Sequence, residues 1–330
     1  MGSPRSASPN YTSISVDPGS HPLSSHSSHQ PAHHLGETDT YASSIPLQPR
    51  PSDSYSDKAP VTSSPTSVLW LLLASNICTL LFTIVPVLLD FPALKGPQWY
   101  VGDDVVRLVE PFVAVPLMFA LVLESGVFAT GSRRAQYTIS TLFMLAATLY
   151  TTGAAFHSAA AMFKHPLADF ILTHADLVVA YPFLTDLLLW IRTTWEHNVS
   201  HYMYAAGGMC MSFVVAYVYR DVNAHDGFGV VQRTVWAAAA VIYGLIIGSV
   251  AIEFPMGSLV ALILILGYGF GILATFLYRR EGFRGMFRWG RRYVVQYYVM
   301  SYCIGLVIVV AWMVHAKGFR NREEIGNKIS

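Results

Sequence analysis

The residues best suited to chemistry lie in one octet, Trp195-Glu196-His197-Asn198-Val199-Ser200-His201-Tyr202. His197 and His201 are four apart, so a helix projects both imidazoles from one face. Neutral imidazole is the commonest metal ligand, and two at this spacing bind zinc or iron. Glu196, one position earlier, is placed to serve as a base or as an acceptor behind a ligating histidine. Gly207 and Gly208 follow within two turns and let another helix, or a lipid, come close. HxxxH is a short motif that also arises by chance.

A second set of candidates is His157, His165, Asp169, His174 and Asp176. His157 follows Gly153-Ala154-Ala155-Phe156 and precedes Ser158 and three alanines, a setting too apolar for a loop histidine. As a third ligand it completes a set, His157, His197 and His201, for a divalent metal such as zinc that acidifies a bound water. Glu196 or Asp169 would then be the base. The competing reading of His157 is a packed histidine bonded to a neighbouring helix. His165 and His174 read as solvated interface residues. Glu110, Glu253 and His315 fall near the ends of apolar runs, where side chains reach out to water.

A deep histidine, an aspartate a dozen residues on and a later HxxxH resemble the zinc-dependent membrane amidohydrolases of the alkaline ceramidase and adiponectin-receptor superfamily. The matching residues are His157, Asp169, His197 and His201. The resemblance implies a seven-helix fold, zinc held by three histidines and hydrolysis of a lipid amide. It covers four residues. That family carries Ser four residues before its first histidine, where this chain has Gly153, and places HxxxH in its last helix, whereas here it is mid-chain. No HxxHH boxes, GxSxG elbow, Walker loop or dinucleotide fingerprint occurs, and no span carries a mid-membrane lysine for retinal.

The elements that must position these residues follow from composition. The chain has 330 residues, 53% hydrophobic and 12% charged, about half the charge of a soluble domain. Its balance of 21 basic and 20 acidic residues argues against nucleic acid as a partner. Residues 1–65 hold 17 Ser and 10 of the 18 Pro, with His21, His26, His29, His33 and His34. Such a tail buries too little apolar surface to order itself, so we expect disorder there. It has no secretory signal pattern. Cys78, Cys210 and Cys303 lie in apolar stretches at irregular spacing, as buried thiols.

Beyond the tail, span-sized runs occupy 67–89, 108–129, 136–161, 174–194, 202–219, 231–251, 256–278 and 293–315. They are too long and too unbroken for barrel strands. The expected fold is all-α: a polytopic transmembrane helical bundle (66–316) of seven to eight spans, with a disordered tail (1–65) and a short polar C-terminal tail (317–330). The count turns on the break at Glu253-Phe254-Pro255. Six arginines between Arg279 and Arg292 should face the cytosol. Eight spans then put the tail outside, along with the sequons Asn10-Tyr11-Thr12 and Asn198-Val199-Ser200. With 174–194 as a full span, His157 and His201 fall near opposite membrane faces. A shared site then needs a broken segment, for instance at Pro182.

The lipid bilayer is thus the first partner, in an endomembrane or the plasma membrane. The functional expectation is a metal-dependent membrane enzyme acting on a lipid or another apolar substrate. The alternative is a non-catalytic transporter or receptor-like bundle using Glu124, Asp186 and Glu253; a structural or trafficking role is the third reading.

Overall fold

The computed structural model of the chain describes residues 64–88, 102–224, 227–253 and 255–326. The expected tail disorder, the tail histidines, the Asn10 sequon, and His225, Asp226 and Phe254 lie outside the described residues. Among those described, all regular structure is helical. In order it comprises α1 (Pro65–Leu88), α2 (Gly102–Glu124), α3 (Val127–Thr130), α4 (Arg133–Thr173), α5 (Ala175–Ala180) and α6 (Phe183–Trp190). A π-helical segment, Ile191–Ser200, joins α6 to α7 (His201–Val218) without a break. Then come α8 (Val230–Glu253) and α9 (Gly257–Leu264), which a second π segment, Ile265–Ala274, joins to α10 (Thr275–Gly285). Last are α11 (Tyr293–His315) and a 3-10 turn, Glu323–Ile325.

Among the described residues, six helices are long and apolar enough to cross a membrane: α1, α2, α4, α8, the α9–α10 rod and α11. Seven to eight were expected, and the two runs with no counterpart among the six are 174–194 and 202–219. After α4 the chain turns back through α5, and one rod then runs from Phe183 to Val218. That rod carries Arg192, Glu196, His197 and His201 in its middle, which sets it apart from the six. The break at Glu253-Phe254-Pro255 does separate two helices, α8 and α9, and Met256 beside it turns into the left-handed region at φ 56°.

Packing fixes the directions. Gly153 lies against Ser200 and Tyr204, and Gly207 against Ala146 and Tyr150, so α4 and the α6–α7 rod are antiparallel. At both glycines an added Cβ would sit under 3.0 Å from the opposite backbone, so only glycine permits this approach. Gly244 meets Ile304 and Gly248 meets Ile308, so α8 and α11 are parallel and the α9–α10 rod returns between them. Thr66 bonds Gln232 at 2.9 Å and Asn76 Nδ2 donates to the Ala239 carbonyl at 2.9 Å, making α1 parallel to α8 as well. Small residues at these contacts match what membrane helix pairs require.

At about 1.5 Å per residue, the 41 residues of α4 run roughly 60 Å, twice a bilayer core. Its N-terminus is capped by Ser132, whose Oγ accepts from the Ala135 amide at 3.3 Å.

Candidate functional site

Three helices each present one polar face to a common seam. On α2 the face is Asp104, Arg107 and Glu110, spaced by threes; on α4 it is Tyr150, His157 and Lys164, spaced by sevens. The α6–α7 rod supplies Glu196, His197, His201 and Tyr204. Because α4 runs antiparallel to the rod, Lys164 meets Glu196, His157 meets His201, and Tyr150 meets Tyr204 in successive rungs.

At the first rung Lys164 Nζ lies 2.5 Å from Glu196 Oε1. Glu196 is 5% exposed, so this ion pair is buried at the carboxylate end. The Ser200 hydroxyl donates to the Glu196 carbonyl. At the second, His157 and His201 rings stand 5.3 Å apart, nearly perpendicular, while His197 and His201 lie parallel at 5.7 Å. Arg107 Nη1 is 3.2 Å from His157 Nε2. A guanidinium only donates, so Nε2 is the acceptor here and the imidazole proton of a neutral His157 sits on Nδ1. That Nδ1 is buried with no hydrogen-bond partner, and so is Glu196 Oε2. His157 Nε2 and Glu196 Oε1 are 4.0 Å apart.

At the third rung the Tyr204 hydroxyl donates to Glu110 Oε1, and the Tyr150 oxygen lies 2.8 Å from the same atom and 2.7 Å from Tyr204 Oη. The two phenol rings stack at 4.2 Å. Beyond the first rung His165 Nε2 sits 3.3 Å from Asp104 Oδ2.

The structure therefore brings His157, His197, His201 and Glu196 together. The separation of His157 from His201 that a full span at 174–194 would impose does not occur, because that stretch is divided between α5 and the start of the α6–α7 rod. Asp169 is exposed on α4, twelve residues and about 18 Å along the axis from His157, and takes no part in the cluster. His174 is exposed against Phe170, as expected; His165 is instead paired with Asp104. Glu110 overturns the expectation of a solvated end residue, since the face of α2 that carries it points into α4 and α7 and leaves it 6% exposed. Glu253 reaches Arg322 at 3.0 Å, and Asp186 and His315 are exposed. The Asn198 sequon lies inside a helix with Ser200 buried.

Arg107, Lys164, Tyr150 and Tyr204 were not singled out from sequence. The signal was present: polar residues in threes on α2 and in sevens on α4 each mark a single face of an apolar helix. As to metal, no three His, Cys, Asp or Glu side chains among the described residues are arranged to hold one ion. The His157 nitrogen facing the cluster already accepts from Arg107. In this arrangement the donor set does not fit a metal.

Comparison of the chain with known protein families, with curated proteins and with solved structures found no match to any of the three. The chain is a helical, multi-pass membrane protein by its own six apolar helices.

Proposed function

We propose that the chain is a membrane-embedded enzyme acting on a lipid or another apolar substrate, with Glu196, His157, His197 and His201 as its reaction centre. The observation that carries this reading is the convergence of those four residues from α4 and the α6–α7 rod, leaving two buried polar atoms without partners. Buried polar atoms are rarely left so in native proteins, and a water or a substrate group would satisfy both. Glu196 Oε1 contacts Lys164, and its unpartnered Oε2 is suited to take a proton from an attacking water. The Arg107 cation, beside His157 Nε2, is suited to stabilise an oxygen that gains negative charge. The bundle then has seven crossings, the α6–α7 rod being the seventh. With the Arg279–Arg292 arginines in the cytosol, the tail is cytosolic too and the centre lies toward the opposite face.

The test uses full-length protein in lipid nanodiscs, assayed for conversion of the bilayer lipids by mass spectrometry. Turnover that is lost in Glu196→Gln and in His201→Ala supports the reading; no turnover, or an active Glu196→Gln, overturns it. Metal content separates two forms of the same centre. Stoichiometric metal that disappears in His201→Ala assigns a metal centre on His157, His197 and His201, with Arg107 displaced from His157. Turnover by metal-free protein assigns acid–base chemistry alone.

One observation favours the non-catalytic alternative. The Lys164–Glu196 ion pair and the His165–Asp104 contact are of the kind that stiffen a bundle or line a polar path. Under that reading the variants change stability or flux and no lipid is converted.

A further inference from the structure

A half-open cavity of about 150 Å³ lies next to the polar seam, lined by α1, α2, α4, α7, α8, the α9–α10 rod and α11. Ala114, Met118, Met209, Ile247, Val250 and Leu264 give it an apolar wall, and no charged side chain lines it. Besides Ser75, Asn76 and Thr79 on α1, where Asn76 is bonded to the Ala239 carbonyl and to Tyr297, two polar edges interrupt that wall. On one stand Tyr150 and Tyr204, whose hydroxyls are taken up by each other and by Glu110. On the other stand Ser212, Tyr243 and Tyr302. Ser212 and Tyr243 satisfy each other at 2.7 Å. Tyr302 is 2% exposed, and its buried hydroxyl, near Tyr243, makes no well-formed hydrogen bond. A buried hydroxyl left unpaired is destabilising, and an oxygen brought in by a ligand relieves it.

We propose that this cavity binds a neutral, lipid-soluble molecule through one oxygen acceptor, a carbonyl, ester or hydroxyl oxygen, set on the Tyr302 hydroxyl. Neutrality follows from the wall. It offers no cation for a carboxylate or phosphate and no carboxylate for an amine, and an unpaired charge placed there is heavily penalised. Size follows from the volume, since about 150 Å³ encloses a benzene-sized group. The enclosed part is therefore a ring or a short run of hydrocarbon beside the oxygen. Because Tyr150 and Tyr204 border both the cavity and Glu110, the inference deepens the reading above by naming its substrate class. It rests on that reading for the chemistry and on the cavity alone for the binding.

Benzophenone is a suitable probe, being neutral, ring-sized on each side of a carbonyl acceptor, and photoreactive toward C–H bonds such as those of Met209 and Met211. Full-length protein in nanodiscs is irradiated with it and the adducts are mapped by peptide mass spectrometry. The expected result is an adduct on cavity-lining residues, at least tenfold weaker with 4-carboxybenzophenone, whose extra charge the wall does not accommodate. Tyr302→Phe, which removes only the hydroxyl, should raise the half-labelling concentration about three- to tenfold, the range for one hydrogen bond. Gly208→Leu should abolish the adduct by filling the space: a Cβ there makes only ordinary contact with the Tyr150 ring, at 3.6 Å. Adducts confined to residues outside the cavity, equal labelling by the acid, or a Tyr302→Phe protein that labels like wild type would each overturn the proposal. His201→Ala keeps the two readings apart, because it should end turnover and leave the adduct unchanged. A cavity adduct without lipid turnover in wild type defeats the enzyme reading alone; turnover without the adduct defeats this one alone.

Discussion

The two π-helical segments use one backbone device for opposite ends. Ile191–Ser200 carries Arg192, Glu196 and His197 and buries Glu196 and Ser200 against α4. Ile265–Ala274 is apolar, contains Gly267, Gly269 and Gly271, and packs on α11. Each π turn takes one residue more than an α turn, so it widens the helix locally and shifts the phase of every side chain that follows. In the first segment that shift swings a carboxylate and an imidazole into the seam. In the second, Gly269 lets the Tyr302 ring settle against the backbone, where an added Cβ would lie 2.9 Å from Tyr302 Cγ. Tyr302 lines the cavity, and its hydroxyl is buried without a well-formed hydrogen bond. One π segment thus positions charge, and the other positions a neutral donor.

The largest effect is expected from removing the charge that the first segment buries. Glu196→Gln leaves the Lys164 ammonium without its counter-ion, and breaking a buried pair costs about 3–5 kcal/mol. Lys164 has a side-chain exposure of 22%, which places the loss near the lower end, about 3 kcal/mol. Thermal unfolding in detergent should show a clear drop for the single variant, and adding Lys164→Met should restore more than half of it. If the single variant unfolds like wild type, the first π segment holds no buried charge and the contrast between the two segments fails.

The second segment should respond to bulk rather than to charge. Gly269→Val drives a branched side chain into the base of the Tyr302 ring, which cannot swing aside as a flexible tip would. Overpacking of this kind costs about 1–3 kcal/mol. It should also weaken benzophenone labelling, because Tyr302 is displaced. The same measurement on Gly267→Val should show little loss of stability, since nothing lies within 4 Å of a Cβ there.

How far these features were legible in the sequence differs between the two segments. Bulk apolarity gave the helical membrane bundle, and the HxxxH with His157 pointed to the residues that do converge. The sequence divided 174–219 into two runs because length and apolarity break the chain where polar residues interrupt it. Around Arg192–His201 the helix continues through that interruption, since its partner α4 carries Lys164, His157 and Tyr150 to meet the polar side chains. A partner on another helix is invisible to a reading of one segment at a time. The π geometry was equally hidden, because no residue type demands it. Gly153 is instructive for the resemblance to the ceramidase-type enzymes. The serine of that family has no room here, as a Cβ at this position would lie 2.4 Å from the Tyr204 amide nitrogen. Close approach of α7 has taken the place of a side chain.

The smallest effect concerns how each π segment ends. Both finish on a hydroxyl that bonds back to the preceding turn. Ser200 Oγ donates to the Glu196 carbonyl, and Thr275 Oγ1 donates to the Phe270 carbonyl at 3.2 Å. Ser200 is 1% exposed, so its removal leaves a buried carbonyl short of a donor, whereas Thr275 is exposed. A hydrogen bond of this kind is worth about 0.5–1.5 kcal/mol when buried. Ser200→Ala should therefore lower stability by about 1 kcal/mol and loosen Glu196, while Thr275→Val should change little, since the Phe270 carbonyl also accepts the Thr275 amide. Amide hydrogen exchange provides the sharper readout. Faster exchange across residues 196–201 in Ser200→Ala, with no change across 270–275 in Thr275→Val, would mean that a buried side chain holds the first π segment, whereas packing against Tyr302 holds the second. Equal acceleration in both variants would mean that the hydroxyl sets the geometry in each, and that the two segments differ only in the side chains they carry.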